Sequence, residues 1–570
     1  MNLGAIAHMP DKRYCFCLEP GRFLFRLQTG REDVDRVILH YRDKYIPLFI
    51  MDTRERVEMK RVARDGSHDY FEAELRMDVV CLRYYFEIID KAGETIYYSN
   101  CRFLREPSED NDRMFDCPQN LREVERFDVP KWAENAVIYQ VFPARFAASK
   151  PVPEEIWYQT PIDGRVDLQG DLKGIAGKLE YIRDLGVDVL YLTPIFRSKS
   201  VHKYDTIDYY TVDPAFGSND DLIALVQKAH GLGLRVVLDG VFNHTAPEFF
   251  AFQDLMENWE TSPYRSWYYP KGKPVIPATR LEKPNYKCFS YFGGMPKLNM
   301  DNPETADYFV DVALYWMRTA GIDGWRLDVG DEVSHYFWKK FRDAVKAEFP
   351  EALIVGEVWH YAADFLQGDN WDSVMNYPFL NAAMDLVADG TITASEFANE
   401  LGFLRGNLHN KAIPLLWNLI GSHDTPRALH RCGEDKDKLR LMAAMQLLMP
   451  GMPMIYYGDE VGLNGARDPD CRRGMLWDEA RQDRELLAYY RRLIELRKAY
   501  PCLTDGDAEE ILADDDIGLV TIRRGDVTVL FHAKPGEVAL PQYAGCQEAI
   551  TGQPFDGILR GVRAAVLICG

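Results

Sequence analysis

Several things are missing from this sequence. It has no run of about 18 apolar residues, the length that a membrane-spanning helix needs. Its first residues, MNLGAIAHMPDKRYCF, show no basic stretch followed by a long apolar one, the mark of a secretory leader. Together these absences predict a cytoplasmic protein. The eleven cysteines are odd in number and include no CxxC pair, which argues against a disulfide framework or a zinc site and predicts reduced thiols. Positive charge is scarce, with 67 Lys and Arg against 88 Asp and Glu for a net charge of -21. Such a field repels phosphate backbones and anionic lipid, so neither nucleic acid nor membrane is an expected partner. A neutral sugar is not repelled, although acidity also serves solubility alone. No internal repeat or low-complexity tract occurs.

What is present is a chain long enough for several units. At 570 residues and roughly 100 to 200 residues per domain, three or four are expected. Hydrophobic residues at 47% and charged residues at 27% are the balance of a globular protein with a large core. From Arg22 to Ser99, alternating runs such as RFLFRLQ, RVILHY and LRYYFEIID predict a small β-sandwich, assigned to residues 1–122. The stretch from Glu106 to Pro130 lacks apolar periodicity and reads as a linker.

From Trp132 onward, short apolar strands alternate with amphipathic helical segments, the pattern of βα units around a parallel sheet. Eight strand candidates begin at Val137, Val187, Arg235, Gly324, Leu353, Ser373, Leu415 and Met454. Eight such units fit a closed (β/α)8 TIM barrel of class α/β better than an open sheet. The interval from Val241 to Leu298 is rich in Pro, Tyr, Trp and Phe and too long for a structureless loop. It predicts an inserted subdomain after strand 3, residues 243–297, which divides the barrel into residues 123–242 and 298–502. Renewed alternation in IGLVTIRR and DVTVLFHA predicts a C-terminal β-sandwich over residues 503–570.

The chemistry is expected at strand ends. In GIDGWRLDV the period of two puts Gly324, Arg326 and Asp328 on one face and Trp325, Leu327 and Val329 on the other. The apolar set fits under the helices, so Arg326 and Asp328 must point into the barrel near its C-terminal rim; a structural ion pair is the plainer alternative. On the neighbouring strand, LIVGEVW is apolar until Glu357. Adjacent strands lie about 4.8 Å apart, so the two carboxylates can stand near the roughly 5 to 5.5 Å of a retaining glycosidase. Asp239, Asn243 and His244 follow strand three, and His423 and Asp424 follow strand seven. Breaking a glycosidic bond requires an ionised nucleophile and a protonated acid. Arg326 is expected to hold Asp328 ionised, while burial and neighbouring carboxylates keep Glu357 protonated.

Four segments, DGVFNH (Asp239 to His244), GWRLDV (Gly324 to Val329), VGEVWH (Val355 to His360) and GSHDT (Gly421 to Thr425), are similar to the four sequence regions of the α-amylase superfamily, in order. AVIYQVFPARF at the barrel start and MPKLN (Met295 to Asn299) resemble the cyclomaltodextrinase, neopullulanase and maltogenic amylase group, whose members also carry an extra N-terminal β domain. The resemblance covers about Val137 to Trp477.

It implies a retaining hydrolase of α-1,4 and also α-1,6 bonds in cyclodextrins, pullulan and maltooligosaccharides, with transglycosylation as a side reaction. Asp328 is then nucleophile, Glu357 acid/base and Asp424 the supporting carboxylate. His202 and Tyr204 match positions that bind the sugar at the cleavage point, and Asp239, His244, Arg326 and His423 match its hydroxyl and charge partners. Asp468 and Arg472 resemble residues that close the non-reducing end of the cleft. Phe289, Trp359 and Tyr377 are candidate aromatic platforms, a role they share with ordinary core aromatics. The resemblance further implies a homodimer through the N-terminal domain, with Tyr45 reaching across. No cofactor is required, and the calcium that relatives hold near the first barrel strand lacks its oxygen ligands in ARFAASKPVPEE. The Val-Ala-Asn-Glu run after the nucleophile is replaced by Val329, Gly330, Asp331 and Glu332, a change at the acceptor side. Two other readings stand beside this one. One is a metal-dependent barrel hydrolase with Asp239, His244, Glu357, His423 and Asp424 as ligands; the other is a noncatalytic amylase-like interaction protein.

Overall fold

The computed structural model describes residues 1–46, 48, 50–107, 114–118, 127–279, 281–504 and 510–569. Most of the expected linker from Glu106 to Pro130, with the division at 122/123, lies outside them.

Eight parallel strands form the centre: β1 (Ile138–Val141), β2 (Val189–Leu192), β3 (Arg235–Gly240), β4 (Gly324–Leu327), β5 (Leu353–Gly356), β6 (Ser373–Val374), β7 (Trp417–Leu419) and β8 (Met452–Tyr456). They pair in the order β6-β5-β4-β3-β2-β1-β8-β7. A parallel bridge between Met375 and Trp417 joins the two ends of that row and closes the ring. Both faces of these strands are buried, one by the barrel interior and one by the helices, so they read as nearly unbroken apolar runs. Trp325, on the outward face of β4, is fully buried and packs against the rings of Phe196 and Phe242. Strand β7 begins two residues later than the sequence suggests, because Pro414 sits in a short 3-10 turn, Ile413–Leu415, and cannot donate to a ladder.

Two excursions leave the ring at its C-terminal end. After β2, strands Phe196–Ser198 and Thr206–Val212 form an antiparallel pair whose connecting loop carries His202, Lys203 and Tyr204. After β3, the expected insertion contains the helix Phe250–Asn258, and bridges such as His244 to Lys297 tie it together.

The N-terminal β-sandwich is a four-stranded antiparallel sheet facing a six-stranded one, and the C-terminal unit is also antiparallel. One pair departs from the expectation of reduced thiols. Cys546 and Cys569 are disulfide-bonded across the C-terminal unit, while the other nine cysteines are free. They lie 23 residues apart, a distance at which no sequence spacing rule marks a pair.

The N-terminal sandwich docks on the helix Ala394–Asn407, which lies between β6 and β7. Glu72 is shared by Arg26 of its own sheet (2.5 Å) and Arg405 of that helix (2.7 Å). These two charges pull the Glu72 carboxyl down to about 2 against the cost of burial. At Gly402 the approach is so close that an added Cβ would stand 1.7 Å from the Arg64 carbonyl oxygen. Gly402→Ala is therefore expected to destabilise the protein by about 1 to 3 kcal/mol. Gly231→Ala, at the end of the helix Asn219–Gly231 with open space around it, is expected to be neutral or stabilising. Paired thermal melts check both, and equal melting temperatures for the two variants would contradict this account of the dock.

Candidate active site

Barrel register assembles the site. Asp239 on β3 pairs with Arg326 on β4, and Leu327 pairs with Gly356 on β5. One residue further, Asp328 and Glu357 leave neighbouring strands side by side, tied by the Glu357 amide donating to the Leu327 carbonyl at 2.9 Å. Cross-strand partners point to the same face, so all four side chains converge inside the rim. All four are buried.

One guanidinium serves three acids. Arg326 Nη1 donates to both oxygens of Asp239 at 2.9 Å and to Asp328 Oδ1 at 3.0 Å. Its Nη2 lies 2.8 Å from Glu357 Oε2, an ion pair without hydrogen-bond alignment. Charged carboxylates this close repel one another, so a single cation cannot keep them all ionised at low cost. Burial and the charge of Glu357 push the Asp328 carboxyl well up, with Arg326 pulling back. Burial likewise raises Asp239 to about 6, opposed by Arg326 and Tyr191. The expectation that Arg326 holds Asp328 low is thereby corrected: the cation is divided among three acids. Asp239 and Asp328 share that cation, so their protonation is linked.

Glu357 has two further partners. The Val329 amide donates to Oε2 at 3.0 Å and Trp359 Nε1 donates to Oε1 at 3.1 Å. Val329 achieves this in the left-handed region, φ 46 and ψ 45, a strained geometry for a β-branched residue. Trp359 is half exposed and stacks on buried Tyr377 with centroids 4.0 Å apart.

A second network adjoins the first. The Tyr204 hydroxyl lies 2.5 Å from His423 Nε2 and 3.1 Å from Asp239 Oδ2, with the Tyr204 and His423 rings parallel. Asp424 stands 3.0 Å from His423 Nε2 and 3.1 Å from Arg472 Nη2, and Arg472 also pairs with Asp468 at 2.9 Å. Burial, with Arg472 and Arg326 nearby, pushes the His423 imidazole far down, so it stays neutral. His202 is partly exposed and accepts from the Tyr204 amide at Nδ1 (3.1 Å). His244 is buried, with Nε2 3.2 Å from the Tyr204 carbonyl, Nδ1 3.2 Å from Asn243 Nδ2, and its ring stacked on Phe289. Burial lowers its imidazole to about 3. Asp239, Arg326, Asp328, Glu357, Trp359, His202, Tyr204, His423, Asp424, Asp468 and Arg472 are thus joined by contacts, while His244 and Phe289 adjoin through the Tyr204 backbone. Tyr45 is exposed on the N-terminal sandwich.

Three supporting residues escaped the sequence reading. Gln140 on β1 donates to His423 Nδ1 at 2.8 Å, and Tyr191 on β2 donates to Asp239 Oδ2 at 2.6 Å. A polar residue inside an otherwise apolar strand was the available signal. Lys203, with φ 65, is buried and paired to Asp213 at 3.0 Å, which fixes the loop carrying His202 and Tyr204.

No cation cage accompanies these groups. Asp171, near the loop after β1, is engaged by Ser149 Oγ (2.5 Å) and the Gly174 amide (2.6 Å). Among the described residues no group of three or more His, Cys, Asp or Glu is arranged to hold a metal ion. At the rim the position between Asp239 and Glu357 is taken by Arg326, which does not fit the metal-hydrolase reading.

Comparisons with known proteins fall on this same region. Residues 140–480 match the family model described as alpha amylase, catalytic domain, and residues 1–119 match alpha amylase, N-terminal ig-like domain. The chain is 40% identical over 530 residues to a cyclomaltodextrinase of Geobacillus thermopakistaniensis (strain MAS1), covering 92% of this chain and 90% of that one. It is 40% identical over 533 residues to neopullulanase 2 of Thermoactinomyces vulgaris, covering 92% and 89%. A solved cyclomaltodextrinase structure superposes with a TM-score of 0.92 at 35% identity over the whole of both chains.

Because the folded site raises Asp328 above the ordinary carboxylate value, the ionised form costs stability that the unfolded chain does not lose. That contribution favours the fold below about pH 3.8 and is lost as pH rises through the raised value. Asp328→Asn is therefore expected to melt roughly 2 °C or more above the parent at pH 7 to 8, with the gap closing as pH falls toward 4. Scanning calorimetry across that range checks it, and a variant that melts lower at pH 8 would be the contrary result.

Proposed function

Because the chain belongs to the alpha-amylase family of glycoside hydrolases, within the cyclomaltodextrinase and neopullulanase group, we propose that it hydrolyses cyclodextrins, pullulan and maltooligosaccharides with retention. It acts on α-1,4 bonds and secondarily on α-1,6 bonds. The observation that carries this reading is the position of Asp328 and Glu357, each one residue past the Leu327–Gly356 pair, around one shared guanidinium.

In the first step ionised Asp328 attacks the anomeric carbon while Glu357 gives its proton to the departing oxygen. The attack consumes the negative charge of Asp328 as Glu357 acquires one. Arg326 lies within reach of both, so the cation need not move while the charge changes place. Charge on Glu357 is met by Arg326, the Val329 amide and Trp359 Nε1, donors already in place before the reaction. In the second step Glu357 takes a proton from water, which releases the sugar as the α anomer; another sugar hydroxyl in place of water gives transglycosylation. Asp424, held by Arg472, grips ring hydroxyls more strongly as the ring flattens. His202, Tyr204 and neutral His423 line the cleavage point, and Asp468 and Arg472 close the non-reducing end. No cofactor enters the scheme.

We further infer an α-glucan partner, a homodimer through the N-terminal sandwich, where Tyr45, Ile50 and Met51 stand exposed, and a cytoplasmic location, which nine cysteines outside any disulfide favour against the one Cys546–Cys569 bond. Time courses on cyclodextrin, pullulan and starch are expected to show faster turnover of the first two, with α-anomeric product appearing first by NMR. Preference for long starch, or early β product, would refute the substrate assignment or the double displacement respectively. Asp328→Asn and Glu357→Gln are each expected to lose about 10³-fold or more in kcat on maltooligosaccharides, and near-parental turnover in either would reassign its role.

A further inference from the structure

Two segments supply the donors that hold Glu357 beyond Arg326. The segment after β4 gives the Val329 amide, and the segment after β5 gives Trp359 Nε1. The Gly330 amide also donates to the Glu357 carbonyl at 3.2 Å. Two residues beyond Val329 is Asp331, and one beyond Trp359 is His360. Their side chains meet, with His360 Nε2 3.2 Å from Asp331 Oδ2.

The ring's other nitrogen decides what that contact is. His360 Nδ1 lies 3.0 Å from the Tyr361 carbonyl, an oxygen that only accepts, so Nδ1 carries a hydrogen. With Nδ1–H given to that carbonyl, the pair with Asp331 is the one in which Nε2 carries the second hydrogen and donates it to the carboxylate. Asp331 is the charged group that meets the ring; on the same rim are Glu357 and Glu332, the latter beside Lys297 of the insertion, whose Nζ donates to the Glu332 carbonyl at 2.8 Å.

We propose that Asp331 and His360 form a clip that joins the two rim segments and so positions Trp359 and Val329 on the acid/base residue Glu357. The inference rests on the acid/base role proposed above for Glu357. His360 is largely exposed, its side chain at 67% and that of Asp331 at 30%. Exposed ion pairs contribute little to stability, so the clip acts on the geometry of the rim and not on folding. In this reading both act through Glu357 as positioning residues.

A change of leaving group tests this. An unactivated maltooligosaccharide leaves as an alkoxide and needs the proton of Glu357, whereas an aryl maltoside with a 4-nitrophenolate leaving group departs without it. Parental turnover of both substrates first establishes the hydrolase reading, and turnover of neither would remove that reading by itself. His360→Ala and Asp331→Ala are expected to lower kcat/KM on maltotriose about fivefold, the factor that an exposed pair can carry, while kcat/KM on the aryl maltoside, which reports only the step that forms the glycosyl-enzyme, stays within about twofold. Asp331→Asn keeps a hydrogen-bond partner for Nε2 in either form of the ring, its amide oxygen accepting or its amide nitrogen donating, so it is expected to keep near-parental turnover on both. Equal losses on the two substrates, no loss on either, or a loss in Asp331→Asn as large as in Asp331→Ala would each overturn the clip.

Discussion

The rim depends on the division of one buried positive charge among three acids. Arg326 is fixed by β4 and reaches Asp239, Asp328 and Glu357 at once, so none of the three owns it. A private ion pair would freeze one carboxylate in its charged form. A shared one leaves Asp239 and Asp328 short of counter-charge, and both hold protons that isolated carboxylates would release.

How much of this was legible in the sequence follows from what each rule can see. Strand alternation sees faces, so the inward set Gly324, Arg326 and Asp328 and the apolar end of LIVGEVW could be read directly, and the eight strands with them. The same rule is blind to register between strands distant in sequence. It could not show Arg326 facing Asp239, nor that Gln140 and Tyr191, lone polar residues in apolar strands, would meet His423 and Asp239. The direction of the Asp328 shift was misread for the same reason, because sequence proximity suggested a pair where the barrel builds a foursome. The hairpin that presents Tyr204 went unread because its first strand, Phe196–Ser198, has only three residues, too few for a periodicity. The Cys546–Cys569 bond escaped because pairing is a matter of spatial approach, and an odd total conceals it.

Strain and support sit together at the rim. Val329 adopts a left-handed backbone that a β-branched side chain resists, and its amide points at Glu357. Buried partners on both sides hold it there: Asp328 precedes it, just past the end of β4, and the Gly330 carbonyl that follows accepts from Trp338 Nε1 at 2.8 Å. The Lys203 and Asp213 pair does the same for the Tyr204 loop. Rigid neighbours let short-range geometry be exacting where chemistry is proposed, at a cost in local backbone energy that the surrounding core absorbs.

The ring closes through its thinnest point. Strand β6 has two residues and meets β7 through the single bridge from Met375 to Trp417. The helix Ala394–Asn407, which follows β6 and precedes β7 in the chain, is the one gripped by the N-terminal sandwich through Glu72 and the close approach at Gly402. Everywhere else the staves are joined by longer ladders. The seventh leads on to His423 and Asp424, so an accessory layer on the outside of the molecule holds the stretch of chain that runs between the two strands of the shortest seam.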